Sequence, residues 1–200
     1  MKPQNKKKNT WDDHLTRKAR KDNYPARSVY KLEEIQKKTK IIKKGQNILD
    51  LGSAPGSWLL YASEVTGNKG RVVGIDLKPV TIKLPAHAQA YTGDILSMDT
   101  ELLEKIGKDY NLVISDMAPD TTGNKNVDAA RSYNLSEAAL NIAGDLLLPG
   151  GNFICKIFQG SDFEQFLLMV KTQFSKYKIF KPQSSRKASK EIFIIGLGKK

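Results

Sequence analysis

Short apolar runs alternate with amphipathic segments along most of the chain, and this alternation indicates the fold. We predict seven strands from the apolar runs, at residues 47–51, 71–77, 89–91, 111–115, 152–158, 178–181 and 191–196. Between them, amphipathic patterns predict helices at residues 57–66, 100–106, 127–147 and 162–174. Strands that alternate with helices predict an α/β fold in which helices cover both faces of a mostly parallel seven-stranded sheet.

The last two predicted strands differ from the others in how they are joined. Only residues 182–190 connect them, which is too short for the crossover helix that a parallel pair needs. We therefore expect an antiparallel hairpin at one edge of the sheet.

The N-terminal region has a different pattern. Residues 1–10 carry little apolar content and are predicted to be disordered. Residues 11–24 can form a basic helix that begins near Asp12 or Asp13. Residues 27–38 place apolar side chains at helical spacing, so one helix face should pack on the core. These apolar positions are Val29, Tyr30, Leu32 and Ile35. We expect one compact domain overall, with basic helices in 1–46 packed on the α/β part in 47–200.

Positive charge is concentrated before the first predicted strand. Residues 1–46 contain 15 Lys and Arg against 5 Asp and Glu, whereas residues 47–200 contain 18 against 16. Nearly all of the net charge of +12 therefore lies in the N-terminal region. This excess is typical either of a solvated tail or of an arm that binds nucleic-acid phosphates, and the pattern leaves both interpretations open.

Composition excludes several classes of protein. No apolar run approaches the roughly 20 residues of a membrane-spanning helix, and no apolar segment of a secretory signal follows the lysine-rich start. Cys155, the one cysteine, lies in an apolar run and is expected to be a small buried side chain, which suits a reducing cytoplasm. His14 and His87 are isolated, so we predict no metal site.

A glycine-rich turn follows the first predicted strand, in the stretch QNILDLGSAPGSW at 46–58. Its spacing matches neither the G-x-G-x-x-G of a dinucleotide site nor a P-loop. The remaining interpretation of this stretch is the turn of an S-adenosylmethionine (AdoMet) site. There Asp50, or the backbone beside it up to Gly52, can meet the methionyl ammonium, and Gly56 lets the chain approach the ligand closely.

Two further acids follow later strands. Asp76 ends the second strand, where a carboxylate can accept both ribose hydroxyls of a nucleoside cofactor. Asp94 follows the third strand and can accept from the adenine amino group. Three acids in this order after a glycine turn favour an AdoMet site, although a single acid at a strand end is often merely solvated.

The acceptor chemistry depends on the fourth and fifth strands. Enzymes that methylate exocyclic base amines carry a D/N-P-P-aromatic stretch after the fourth strand. Residues 115–119 read SDMAP instead, so a base-amine acceptor is the weaker alternative. In the fifth strand Lys156 interrupts the apolar run FICKIF. That lysine either extends to solvent from a sheet edge or serves a function, because burying it without partners is costly.

Five motifs in order resemble the FtsJ/RrmJ family of RNA ribose 2′-O-methyltransferases over nearly the whole chain. They read RSxYKL from Arg27, DLGxAPGxW from Asp50, SDMAP from Ser115, KIFQG from Lys156 and PxSSRxxSxE from Pro182. The resemblance implies a Rossmann-like AdoMet-dependent fold with the catalytic domain in 47–200. It implies a catalytic tetrad of Lys31, Asp116, Lys156 and Glu191, and AdoMet contacts from Gly56, Trp58, Asp76, Asp94 and Asp116.

The same resemblance implies a substrate and partners. It points to methylation of a uridine in 23S ribosomal RNA, with RNA bound through the basic N-terminal region, by a cytoplasmic monomer without metal or membrane. Alternatives are 2′-O-methylation of tRNA or another RNA, and a ribosome-assembly factor that binds RNA without essential catalysis.

The chain departs from the family pattern at two positions. Ser57 replaces the second glycine after Pro55, and we expect Ser57 to cap the following helix. Phe193 replaces a tyrosine, and we expect the lost phenol to alter a contact with RNA.

Overall fold

A computed structural model describes residues 14–186 and 188–200 and contains a single seven-stranded sheet in this part of the chain. The strands are β1 Asn47–Leu51, β2 Arg71–Asp76, β3 Ala88–Thr92, β4 Tyr110–Ser115, β5 Leu147–Phe158, β6 Phe174–Phe180 and β7 Glu191–Lys199. The helices are α1 His14–Lys21, α2 Val29–Thr39, α3 Ser57–Thr66, α4 Thr100–Ile106, α5 Lys125–Leu146 and α6 Phe163–Gln173, with a 3₁₀ turn at Ile95–Ser97. The predictions for residues 1–13 lie outside the described residues.

The strand order is β3-β2-β1-β4-β5-β7-β6. The first five strands in this order are parallel, and β7 runs antiparallel to both β5 and β6. The mostly parallel sheet and the antiparallel edge hairpin are thus confirmed. Parallel neighbours place the carboxyl ends of β1, β2 and β4 at one edge of the sheet, where such folds bind ligands.

Two strands, β5 and β6, begin several residues before their predicted starts. β5 begins at Leu147, directly after α5, because Leu147 pairs with Tyr110 ahead of a register shift. The sequence did not indicate this extension, because Pro149 and Gly150 are residue types typical of turns. β6 begins at Phe174, and the exposed polar residues Ser175 and Lys176 near its start give no apolar signal.

Helices cover both faces of the sheet, as predicted. On one face α4, α5 and α6 pack on a buried cluster that includes Phe153 and Phe174, whose rings stack at 5.9 Å. Cys155 lies in this cluster, and burial raises the pKa of its thiol to about 12. The prediction of a buried cysteine is therefore confirmed.

On the opposite face of the sheet, α2 and α3 pack on a second cluster of buried residues. The apolar face predicted for α2 is buried as expected, through Val29, Leu32 and Ile35. The Trp58 indole donates a 2.8 Å hydrogen bond to the Ser28 carbonyl and so ties α3 to the segment before α2. These contacts hold α2 beside the carboxyl edge of the sheet. No helix among the described residues is long and apolar enough to cross a bilayer.

Candidate active site

A cavity of about 460 Å³ opens at the carboxyl ends of β1, β2 and β4. This volume is within the range of small-molecule sites. Four of the residues that the sequence assigns to a cofactor line it: Gly52, Asp76, Asp94 and Asp116. The remaining wall is largely apolar and includes Leu77, Ile95, Leu96, Met117, Ala118 and Pro119.

The glycine turn has little room for side chains. Gly52 has a φ of +79°, and a Cβ there would lie 2.5 Å from the Met117 Cγ. Gly56 has a φ of +109°, and a Cβ there would lie 2.8 Å from the Ile82 Cδ1. Both positions combine a backbone conformation that favours glycine with a close neighbour, so both require glycine.

Ser57 does not cap α3, and that prediction was wrong. Gly56 occupies the N-cap position, and Ser57 is the first helical residue. Its hydroxyl accepts a 2.8 Å bond from the Ala26 N–H and donates a 3.1 Å bond to the Ala26 carbonyl. Ser57 therefore fastens the cofactor turn to the segment that precedes α2.

The two later acids are held by backbone bonds. Asp76 accepts from the Ala54 N–H at 3.0 Å and from the Lys78 N–H at 2.8 Å. Asp94 accepts from the Leu96 N–H at 2.9 Å and so caps the 3₁₀ turn. Each carboxylate oxygen has more than one lone pair. Both side chains can therefore accept from a nucleoside while their orientation is maintained.

Asp50, Gly56 and Trp58 lie behind the cavity wall. Asp50 is fully buried, and neither carboxylate oxygen has a hydrogen-bond partner among the described residues. The Trp58 ring stacks on Phe193 at 5.7 Å inside the core. An orphaned buried carboxyl beside a cavity lined by further acids suits a ligand that carries positive charge, as the methionyl ammonium of AdoMet does.

Burial raises the pKa of Asp50 well above its usual value, and the nearby charges of Asp116 and Asp76 raise it further. The folded protein therefore keeps a proton on Asp50 to higher pH than the unfolded chain does. Stability falls as pH rises from about 4, the pKa of an unperturbed aspartate, through the raised folded-state pKa. We expect this loss to be absent in Asp50→Asn, because an amide does not ionise.

Thermal unfolding without cofactor at pH 4 to 8 measures the effect. The melting temperature of Asp50→Asn should exceed that of the parent near pH 8, and the difference should shrink towards pH 4. Asp145→Asn, a change at an exposed carboxylate of α5, should show no comparable trend. If Asp50→Asn melts below the parent at pH 8, Asp50 is stabilised as a carboxylate.

The four residues of the implied tetrad converge beside the cavity. Lys156 Nζ lies 3.0 Å from Asp116 Oδ1 and also donates to the Asp116 carbonyl. Lys31 Nζ lies 3.5 Å from the same Asp116 oxygen and 3.0 Å from Glu191 Oε2. The result is a continuous chain of alternating charge, Lys156, Asp116, Lys31 and Glu191.

The tetrad is shielded from solvent. The Lys156 side chain is only 4% exposed, so the interpretation that it extends to solvent from a sheet edge is excluded. Burial by itself lowers the pKa of Lys31, but the charges of Asp116 and Glu191 outweigh it and raise that pKa overall. Lys31 is therefore a fixed cation, and Asp116, which also lines the cavity, joins the tetrad to the cofactor site.

Some features of the site were missed or misjudged from sequence. Phe193 is fully buried against Trp58, and the expected effect of its missing phenol on a contact with RNA stays a prediction. Leu77 and Leu96 are exposed at the cavity, where they can cover an aromatic ring of a ligand. In the sequence, only their closeness to Asp76 and Asp94 indicated that these two leucines could line the site. Nothing in the sequence indicated a role for Glu34, whose carboxylate holds residues 183 and 184.

The class of protein follows from three features, which are the sheet topology, the cavity over the carboxyl edge of the sheet and the buried tetrad beside that cavity. The protein is a Rossmann-like, AdoMet-dependent methyltransferase. Within the described part of the chain, no cluster of His, Cys, Asp and Glu is arranged to hold a metal ion.

Comparison with known proteins identifies the family. The FtsJ-like methyltransferase family matches residues 24–199. A Desulforapulum autotrophicum protein named ribosomal RNA large subunit methyltransferase E is 64% identical over 194 residues, covering 97% of this chain and 96% of that protein. A Desulfatibacillum aliphaticivorans protein of the same name is 54% identical, with coverage of 100% and 97%. The chain therefore belongs to the FtsJ-like methyltransferase family.

One solved structure supports the fold at lower identity. A Plasmodium falciparum protein proposed to be a ribosomal RNA methyltransferase superimposes with a TM-score of 0.77 and is 29% identical. The match covers 88% of this chain and 98% of that one.

Proposed function

We propose that the protein methylates the 2′-hydroxyl of a ribose in large-subunit ribosomal RNA, with a uridine of 23S rRNA as the target. The observation that carries the proposal is the buried chain of Lys156, Asp116, Lys31 and Glu191 beside the cofactor cavity. The names of the 64% and 54% identical relatives support ribosomal RNA as the substrate.

Each member of the tetrad has a role in this proposal. AdoMet supplies an electrophilic methyl group when bound. Lys156 Nζ either receives, on the lone pair of a neutral amine, the proton that leaves the 2′-hydroxyl as the oxygen gains the methyl, or steers the departure of that proton as an ammonium. Asp116 holds the Lys156 side chain from one side, while Lys31 and Glu191 orient the ribose. Their mutual contacts pre-set this geometry, so little reorganisation is needed when RNA binds.

Seven residues serve the cofactor in the same proposal. Asp76 accepts from the ribose hydroxyls, Asp94 accepts from the adenine amino group, and Gly52 and Gly56 keep the turn open to the ligand. Asp50 acts from beneath the wall on the positively charged methionyl end, and Asp116 completes the wall next to the acceptor. Trp58 acts from behind the wall by fixing α3, since its indole is bonded to the Ser28 carbonyl.

The basic N-terminal region is the RNA-binding arm in this account, and residues 47–200 form the catalytic domain of one compact monomer. We place the enzyme in the cytoplasm, with the ribosomes. In α1, Arg17, Arg20 and Lys21 are exposed, whereas the buried Ala19 fixes the helix to the rest of the protein. These three cations can therefore reach phosphates without loosening the helix.

We expect the triple variant Arg17→Gln, Arg20→Gln, Lys21→Gln to bind RNA more weakly and with a shallower salt dependence. Each lost phosphate contact should flatten the slope of log affinity against log salt by about 0.7 for single-stranded RNA. Titration of an rRNA fragment at several salt concentrations measures this slope. The double variant Lys105→Gln, Lys108→Gln changes charge near the amino end of β4 and should keep the parental slope. An unchanged slope in the triple variant would show that α1 only solubilises the protein.

The substrate is tested by offering labelled AdoMet together with different acceptors. We expect label in 23S rRNA or large subunits and none in 16S rRNA or tRNA. Label in tRNA alone would contradict the rRNA assignment. Separately, rescue of a deletion strain by Lys156→Ala would favour a ribosome-assembly role without essential catalysis.

A further inference from the structure

The contact between Lys31 and Glu191 joins two elements that the sheet does not hold together. Asp116 follows β4 and Lys156 lies in β5, and these adjacent strands pair with Ser115 opposite Cys155. Sheet hydrogen bonds therefore set the distance between Asp116 and Lys156. Lys31, however, lies on α2, which packs on one face of the sheet, so its 3.0 Å contact with Glu191 needs a separate constraint.

Glu34 connects α2 directly to the segment that precedes Glu191. Its Oε2 accepts a 2.6 Å bond from the Gln183 N–H, and its Oε1 accepts a 2.8 Å bond from the Ser184 N–H. One carboxylate of α2 thus holds two successive amides in the segment that leads to Glu191. Hydrogen bonds to an ionised acceptor are shorter and stronger than bonds between neutral groups.

A second bond fixes the same segment from the other side. Arg27 donates from Nη2 to the Ser184 carbonyl, so both backbone groups of Ser184 are bonded to residues in or just before α2. Lys31 and Glu34 are three residues apart on α2 and so lie on one side of the helix, and Arg27 lies in the turn before it.

The fixed segment continues to the tetrad. The Ser189 N–H donates to the Arg186 carbonyl at 2.9 Å, and the Glu191 N–H donates to Ser189 Oγ at 3.2 Å. A short series of bonds thus leads from the anchored segment to the carboxylate that Lys31 contacts. If residues 183 and 184 moved away from α2, the segment that leads into Glu191 would lose these bonds to the helix that carries Lys31.

We propose that Glu34 is a positioning residue that anchors residues 182–186 to α2 and thereby sets the contact between Lys31 and Glu191. The inference rests on the proposed function for its catalytic consequence. Glutamine at this position keeps one acceptor oxygen but turns an NH₂ towards a backbone N–H, so one of the two amides loses its partner. Aspartate keeps both acceptors on a side chain shorter by one methylene.

The test compares Glu34→Gln with Glu33→Gln. Glu33 is the adjacent acid of the same helix, but its partner is Lys37 on the helix itself at 2.6 Å. We expect Glu34→Gln to lower kcat at least tenfold, because displacements of about 1 Å can cost on the order of 100-fold in rate. Its affinity for AdoMet should stay within twofold of the parent, Glu34→Asp should be intermediate, and Glu33→Gln should match the parent.

Hydrogen exchange provides a measurement that does not depend on RNA. The amides of Gln183 and Ser184 should exchange faster in Glu34→Gln than in the parent and in Glu33→Gln. A kcat within twofold of the parent, or unchanged exchange at both amides, would overturn the proposal. If the parent itself does not methylate RNA, the proposed function fails, while the exchange rates still decide whether Glu34 anchors the segment.

Discussion

Replacing Lys156 with alanine is expected to remove most methyl transfer while leaving cofactor binding intact. A positioned acid or base contributes about 10²- to 10⁴-fold to a rate, and we expect kcat to fall by that factor. Lys156 is not among the residues that line the cavity. The dissociation constant for AdoMet should therefore change by less than about twofold.

Single-turnover transfer of labelled methyl to rRNA, combined with calorimetry of AdoMet binding, measures both quantities. Lys108→Ala is the matched control, because this exposed lysine lies near the amino end of β4, away from the site. If Lys156→Ala transfers methyl as fast as the parent, the assigned role of this lysine is wrong. Loss of AdoMet binding in the same variant would assign Lys156 to the cofactor instead.

Asp116→Ala should cause both inactivity and a large loss of stability. Asp116 is the shared partner of Lys156 and Lys31, and all three side chains are at most 14% exposed. Removing one partner of a buried ion pair costs about 3–5 kcal/mol, because the remaining charge stays buried. At roughly 2–4 °C per kcal/mol for a chain of this size, the melting temperature should fall by about 6–20 °C.

Calorimetry and a transfer assay on Asp116→Ala and Asp116→Asn separate the two effects. Asparagine keeps the shape and one acceptor oxygen, so it should retain more stability than alanine, although it should be similarly inactive. An unchanged melting temperature in Asp116→Ala would show that the two lysines do not depend on this carboxylate.

Much of the fold was predictable because its buried strands are short apolar runs. The antiparallel edge pair followed from the length of a single connection, and the structure confirms it. The start of β6 was not predictable, since Ser175 and Lys176 lie exposed on an edge strand and carry no apolar signal. In that strand hydrogen bonding to β7 and the burial of Phe174 specify the conformation.

The types of residue that form the site were predictable from the sequence, but how deeply each side chain is buried was less so. Lys156 was a candidate functional residue from the sequence, because a lysine within an apolar strand requires partners. Asp116 is such a partner. Lys31 and Glu191 came only from family resemblance, since their approach depends on how α2 packs on the sheet. Asp50 lies one residue before the end of β1, and its carboxyl lies beneath the cavity wall. A linear pattern does not specify how deep a side chain lies.

The identity of the methylated atom tests the central claim most directly. Large-subunit rRNA that has been labelled by the parent protein is hydrolysed with alkali, which cuts next to every free 2′-hydroxyl. We expect the label in an alkali-resistant dinucleotide whose 5′ residue is a uridine, with none from Lys156→Ala. Label recovered in mononucleotides, on a base, would contradict the account.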